Sequence, residues 1–87
     1  MSTKISEALA RRLAEVTGTE SQREIPVIVT FRSGAGLAAL EQTGLKVQRT
    51  FTNIPAVAGT IPAVAVNTLA ELDQVETVDY DETAWAL

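Results

Sequence analysis

The sequence predicts an α+β fold, in which four antiparallel strands form a sheet with two helices on one face, preceded by an extra helix. Two observations lead to this prediction. The chain has 87 residues, the size of one small domain with a single core. From residue 25 onward, strand and helix patterns follow each other twice in the order strand, helix, strand. Right-handed crossovers through the helices then give a split βαβ sandwich of the ferredoxin-like type, βαββαβ.

The first element is an amphipathic helix predicted over residues 3–17. Its apolar side chains recur at helical spacings, at Ile5, Leu9, Leu13 and Val16. Ser2 or Thr3 is suited to cap its start, and Gly18 is suited to end it.

Residues 17–24 are polar and include a glycine, which is typical of a linker. The chain therefore divides into an N-terminal helix with its linker, residues 1–24, and a domain of residues 25–87. The helix can dock on that domain, pair with a second copy of the chain, or lie loose. A homo-oligomer formed through this helix is one of the partnerships left open.

Four strands are expected, at Pro26–Phe31, Leu45–Phe51, Ala56–Ile61 and Val75–Tyr80. The first is rich in β-branched residues, which suits a central strand. The second alternates, and one of its sides is formed by Leu45, Val47, Arg49 and Phe51. The third consists of small residues around Gly59, which permit close approach of a helix or of another backbone.

Two helices connect these strands. The first covers Leu37–Thr43 and ends at Gly44. Its predicted buried stripe consists of Leu37, Ala38 and Leu40. The second runs to about Leu72 and has Pro62 in its first turn. Its predicted core residues are Val66, Leu69 and Leu72, with Ala65 and Ala70 filling gaps. The sheet face opposite the helices is expected either to bind a partner or to face water.

The composition disfavours an enzyme. The chain has no Cys and no His, so it lacks thiolate metal ligands, the commonest metal-binding side chain and the commonest general base. We therefore expect no catalytic residues, no metal and no cofactor. Gly34-Ala35-Gly36 joins a strand to a helix but lacks the further glycine and the Lys-Ser/Thr of phosphate-binding loops. An acylphosphatase-type site using Arg32 and Asn53 is disfavoured because its phosphate loop is not matched.

The charge is uneven. The net charge is −4, and every Lys and Arg lies between Lys4 and Arg49. The charged residues of the stretch 50–87 are all acidic. Nucleic acid is disfavoured as a partner, because its phosphates are bound by basic residues. The acidic half is either a solvated face or a surface for a cationic or helix-N-terminal partner. No apolar run has the length of a signal peptide or a membrane span, so we expect a cytoplasmic protein without a membrane partner, with another export route left open.

Several motifs follow one another within residues 25–87. They are the strand Val27-Ile28-Val29-Thr30-Phe31, the stretch Gly44-Leu45-Lys46-Val47 closed by Phe51, the small-residue strand at 56–61, the helix motif Leu69-Ala70-Glu71-Leu72, and an ending in which Val75, Val78, Asp79 and Asp81 are spaced Val-x-x-Val-acid-x-Asp. In this order they resemble the propeptides of subtilisin-like serine proteases and the propeptide-type inhibitors related to them. The ending, followed by a short tail, is the most specific part.

The resemblance implies an inhibitor of a subtilisin-like serine protease that can also act as a folding chaperone. In that family the open sheet face packs on two protease helices, and acids at the positions of Asp79 and Asp81 cap their N-termini, where backbone N–H groups are unsatisfied. The tail would lie in the substrate cleft as an added strand. The tail residues are Thr83, Ala84, Trp85, Ala86 and Leu87.

Within that tail, the resemblance implies that Leu87 fills the primary specificity pocket and Ala84 an outer apolar pocket. Because Leu87 ends the sequence, the tail is expected to remain bound like a cleaved product. Trp85 is expected to point away from the cleft, or alternatively to fold back onto its own core. The initiator Met favours a stand-alone inhibitor over an excised propeptide.

Two features depart from the family: the N-terminal helix lies outside its pattern, and Ala84 is smaller than usual. The alternative function is a small non-catalytic regulatory or dimerisation module on the same fold. RNA binding is disfavoured, because it needs aromatic and basic residues that Ala56–Ile61 lacks.

Overall fold

A computed structural model describes residues 4–15, 23–32 and 38–81. Its helices and strands are α1 (Glu7–Glu15), β1 (Glu24–Phe31), α2 (Ala38–Gln42), β2 (Lys46–Thr50), β3 (Ala56–Pro62), α3 (Val66–Ala70) and β4 (Val75–Tyr80). A short 3-10 turn, Ala63–Ala65, joins β3 to α3. All four predicted strands are present, and β4 has the bounds expected from the sequence.

The four strands form one sheet in the order β2-β3-β1-β4, and every neighbouring pair is antiparallel. The predicted α+β class with a four-stranded antiparallel sheet is confirmed, and the strand order is compatible with a ferredoxin-like fold. Val29 of β1 lies opposite Val57 of β3 on one side and opposite Val78 of β4 on the other. These three valines therefore share one sheet face.

The helices bury that face. Every second residue of β1, from Ile25 to Phe31, is buried, and the same hydrophobic cluster includes Leu9 of α1, Leu40 of α2 and Leu69 of α3. Helices α2 and α3 have five residues each, too few to be stable alone in water. Burying a leucine contributes about 1.5–3 kcal/mol, so contact with the sheet is what holds these helices.

Most of the predicted helix contacts are confirmed. In the second connecting helix, Val66, Leu69 and Ala70 are buried, and Ala65 and Leu72 pack against the core.

Gly44 ends α2 as expected. Its φ is +107°, and its N–H donates to the Glu41 carbonyl oxygen at 3.0 Å. Glycine is favoured there because a side chain is strained at positive φ.

Two details of the predicted helices are wrong. Ala38 is exposed, because residues two apart are turned by about 200° on a helix and Ala38 therefore faces away from Leu40. Pro62 does not open the second helix. It is the last residue of β3, where it pairs with Glu24 and has an extended backbone with ψ 138°. Leu37 lies outside the described residues.

The predicted alternation of β2 is interrupted by a bulge. Val47 pairs with Gly59, but Arg49 pairs with the next residue, Ala58, so Gln48 is an extra residue in the ladder. Val47 packs against the core, whereas Arg49 falls on the opposite sheet face. The prediction that Arg49 shares a side with Val47 is therefore wrong. The close approach predicted at Gly59 is made by β2: a Cβ on Gly59 would lie 2.1 Å from the Lys46 carbonyl oxygen.

The N-terminal helix docks on the domain, one of the three arrangements left open by the sequence. We call Lys4–Glu15 the N-terminal arm. Its first residues run beside β4, where Ile5 and Val78 form a parallel bridge. The Ser6 N–H donates to the Val78 carbonyl oxygen at 2.9 Å, and the Val78 N–H donates to the Lys4 carbonyl oxygen at 2.8 Å. These bonds occupy part of the outer edge of β4.

Because Ile5 forms a β-bridge with Val78, α1 starts at Glu7 and not near residue 3. Its cap is Ser6, whose Oγ accepts the Leu9 N–H at 3.2 Å, in place of the predicted Ser2 or Thr3. Leu9 is fully buried, and Leu13 packs partly against the core.

Replacing Gly59 with alanine should destabilise the protein by about 2–4 kcal/mol, because the new methyl group must displace the backbone of β2. Urea unfolding measures this cost. Gly44→Ala is the matched control: its Cβ would meet its nearest atom at 3.5 Å, leaving mainly the positive-φ penalty of about 1–2 kcal/mol. An equal cost for the two variants would contradict the close approach.

Replacing Leu9 with alanine should cost about 2–5 kcal/mol, because it removes a fully buried side chain and leaves a cavity. Arg11→Ala, on the exposed side of the same helix, should change stability by no more than about 0.5 kcal/mol. Chemical denaturation of both variants tests whether α1 belongs to the cooperative core. If Leu9→Ala and Arg11→Ala both changed the stability only slightly, α1 would not belong to the cooperative core.

Candidate functional site

The two acids singled out by the sequence lie at the end of β4 on one sheet face. Asp79 is opposite Ile28 of β1, and the Asp81 N–H donates to the Pro26 carbonyl oxygen at 3.0 Å. Side chains alternate along a strand, so both acids belong to the face opposite the helices. We call this the open face. It is formed by Pro26, Ile28, Thr30, Ala56, Ala58, Thr60, Asp79 and Asp81, together with Lys46 and Arg49 of β2. Lys46, Arg49 and Asp79 are exposed on this face, whereas Pro26, Ala56, Ala58 and Asp81 are buried.

The residues that fix β4 in the sheet are Val75 and Val78, the two valines of the ending motif. Both are buried in the core cluster. The chain that follows Asp81 therefore leaves from a strand that is paired along its length with β1. The predicted tail residues Thr83, Ala84, Trp85, Ala86 and Leu87 lie outside the described residues.

Asp79 is exposed and is bonded to the N-terminal arm. Its Oδ1 accepts the Ser6 hydroxyl at 2.5 Å and the Tyr80 N–H at 2.8 Å. Ser6 is also the cap of α1, so this carboxylate lies beside the first turn of the protein's own helix, where partial positive charge favours an anion. The Tyr80 N–H is thus satisfied by the side chain of the residue before it.

Asp81 has a different environment. The residue is only 4% exposed, and its Oδ2 lies 3.6 Å from Nη2 of Arg49. A buried carboxylate without compensation is costly, so the guanidinium offsets part of the cost of removing this charge from water. Asp79 and Asp81 therefore share a face but differ in accessibility.

Two ion pairs cross the open face from β2. Lys46 Nζ lies 3.1 Å from Oε1 of Glu24 on β1, and Arg49 reaches Asp81 beyond the end of β4. Arg49 is opposite Ala58 on β3, so its side chain passes over the small residues of that strand. The short side chains on the open face of β3 therefore leave room for the Arg49 side chain.

Sequence reasoning missed Ser6 and Arg49. A serine followed by a glutamate is a helix-start signal, so Ser6-Glu7 offered a cap as good as Ser2 or Thr3. Arg49 could not be assigned to the open face, because a regular strand places it on the core side and only the bulge reverses it.

Among the described residues, no cluster of three or more His, Cys, Asp or Glu side chains is arranged to hold a metal ion. Arg32 and Asn53 are both exposed. The Gly34-Ala35-Gly36 segment lies outside the described part of the chain. No helix in that part is long and apolar enough to cross a membrane.

No protein-family model matches this chain, and no curated protein matches it. The resemblance to subtilisin propeptides stays a prediction, based on the motifs quoted above.

Replacing Arg49 with methionine should destabilise the protein by about 1–3 kcal/mol, because it leaves the buried Asp81 carboxylate with less compensating charge. Lys46→Met is the matched control. Both partners of the Lys46–Glu24 pair are more exposed than Asp81, so its loss should cost no more than about 1 kcal/mol. Urea unfolding compares the two. The Arg49→Met cost should shrink in an Asp81→Asn background, and an unchanged cost there would rule out the coupling.

Proposed function

We propose that this protein inhibits a subtilisin-like serine protease and can assist the folding of that protease. The observation that supports this most is the placement of β4. Val75 and Val78 are buried, the strand pairs with the central β1, and it leads directly toward residues 82–87. A tail that leaves from a fixed strand loses less conformational freedom when it binds than a tail on a loose segment.

We also propose that the fold is the ferredoxin-like split βαβ sandwich. β1 and β2 both pair antiparallel to β3, so they run in the same direction with one strand between them. β3 and β4 have the same relation across β1. Along the chain, α2 lies between β1 and β2, and α3 lies between β3 and β4. Each pair of parallel strands therefore has a helix between its members, as a split βαβ unit requires.

In the proposed complex, residues Thr83–Leu87 lie in the substrate cleft as an added strand. Backbone hydrogen bonds to the edge strands of the enzyme hold such a segment, and some of its side chains enter pockets. Leu87 fills the primary pocket and Ala84 an outer one, while Trp85 points away from the cleft. The tail occupies the cleft in the manner of a bound product.

The open face is the proposed contact with the protease helices. Asp79 is the better placed of the two acids, because it is exposed, whereas Asp81 is buried and paired with Arg49. We therefore expect Asp79 to contribute most of the helix capping, at about 0.3–2 kcal/mol. Asp81 is expected to act by holding the end of β4.

A second candidate is a non-catalytic regulatory or dimerisation module. It is favoured by one observation, the docking of the N-terminal arm on the edge of β4. In both candidates we propose that the protein is not an enzyme, uses no cofactor and binds neither nucleic acid nor membrane. A cytoplasmic location stays a prediction.

The deciding experiment is an inhibition assay with a broad-specificity subtilisin and a chromogenic peptide. The full chain should inhibit, and a chain ending at Thr83 should lose at least about a hundredfold in affinity, because about 3 kcal/mol or more of tail contacts is removed. Circular dichroism and thermal unfolding check that the truncated chain remains folded.

Three outcomes separate the parts of the proposal. Equal inhibition by the full and truncated chains would show that the tail mechanism is wrong. No inhibition by either chain would reject the protease as a partner. Asp79→Asn tests the capping: it should weaken inhibition by about two- to thirtyfold, whereas Ser6→Ala, which removes the hydroxyl bonded to Asp79, should not.

A further inference from the structure

We propose that the outer edge of β4 is a binding site for a second copy of this chain, which it accepts by exchange of the N-terminal arm. In the exchanged dimer, residues 4–15 of each copy lie on β4 of the other copy. The proposal does not depend on protease inhibition. It assigns a partner of defined chemistry, residues Lys4–Glu15, to a defined site formed by Leu72 and β4.

The arm is anchored to residues far from it in the sequence. Lys4 Nζ donates to the Leu72 carbonyl oxygen at 2.8 Å, and Ser6 bonds to Asp79, 73 residues away. The Arg12 guanidinium carbon lies 4.9 Å from the centre of the Tyr80 ring, within the range of a cation–π contact. All these contacts can form equally well when the arm and β4 belong to different chains.

The covalent connection between the arm and β1 is short. Eight peptide steps separate Glu15 from Arg23, and at about 3.5 Å per step they reach at most about 28 Å. The connecting residues 16–22 are Val-Thr-Gly-Thr-Glu-Ser-Gln, and Val16 is the one large apolar residue among them. A short, mostly polar sequence with a glycine is typical of a linker.

The two edges of the sheet differ in how well they accept a further strand. The other edge is β2, which carries Lys46, Arg49 and a bulge, and such features oppose pairing with another strand. The β4 edge is already used for strand pairing, through Ile5 and Val78. A second copy brings the same arm with the same hydrogen-bonding groups, so its contacts repeat around a twofold axis.

The balance between the two forms follows from effective concentration. A connection of eight peptide steps keeps the arm near its own β4, and the effective concentration set by a short linker is about millimolar. Because the contacts are the same in both forms, the exchanged dimer should become populated as the protein concentration approaches that range. At micromolar concentration the arm should lie mainly on its own β4.

The test uses cysteine cross-linking, since the chain has no cysteine. Two single variants, Ser6→Cys and Asp79→Cys, are mixed at about 1 mM, the effective concentration of a short connection, and exposed to oxidised glutathione. A disulfide between positions 6 and 79 of two chains forms efficiently only when the arm of one copy lies on β4 of the other. Mass spectrometry identifies the linked peptides.

The matched control is a mixture of Ser6→Cys with Thr50→Cys, an exposed position on β2. We expect the 6–79 disulfide to exceed the 6–50 disulfide by roughly tenfold or more, because docking raises the local concentration of the two thiols. Dilution to micromolar concentration should remove the excess.

The double variant Ser6→Cys/Asp79→Cys provides the reference. At micromolar concentration it should form the bond within one chain and remain monomeric. If it does so while the mixed single variants match the 6–50 control at 1 mM, exchange is rejected. If it forms no bond, the arm does not occupy β4 in solution, and the proposal fails for that reason.

Discussion

The pairing of β1 with β3 on one side and β4 on the other is the constraint on which the rest of the structure depends. It places Val57, Val29 and Val78 side by side on one face. A shift of one residue in either register would turn a whole strand over and expose its core side chains. The short helices α2 and α3 depend on this face for their stability, and β4 depends on it for its position.

A chain of local causes leads from β3 to the open face. Gly59 has no side chain, so the β2 backbone can approach to a distance that a Cβ would not allow. β2 then accommodates the bulge at Gln48, and the bulge turns Arg49 onto the open face. From there Arg49 reaches the buried carboxylate of Asp81. The close approach at Gly59 and the bulge beside it thus accompany the placement of Arg49 within reach of an acid beyond the end of another strand.

Much of the fold could be predicted from the sequence, because strong patterns carry it. The β-branched run in β1 and the apolar spacing of α3 correctly predict that these elements exist and which residues they bury, although α3 begins at Val66 and not at Pro62. The site was harder to predict. The bulge at Gln48 has no signal in an alternating sequence, and it alone decides the side on which Arg49 lies. The role of Ser6 depends on a strand pairing of Ile5 that the helical spacing of Ile5 and Leu9 concealed.

Asp79 connects the two proposals, because its carboxylate serves the N-terminal arm and is also the proposed contact with a protease helix. Its Oδ1 accepts bonds from Ser6 and Tyr80. A carboxylate has two oxygens and about four acceptor positions, so a backbone N–H of a partner helix can bond to the same group without displacing the Ser6 hydroxyl. Helix capping therefore does not require release of the arm. The Ser6 hydroxyl bonds to Asp79 in the same way when it comes from a second copy, so arm exchange and inhibition are compatible at this residue.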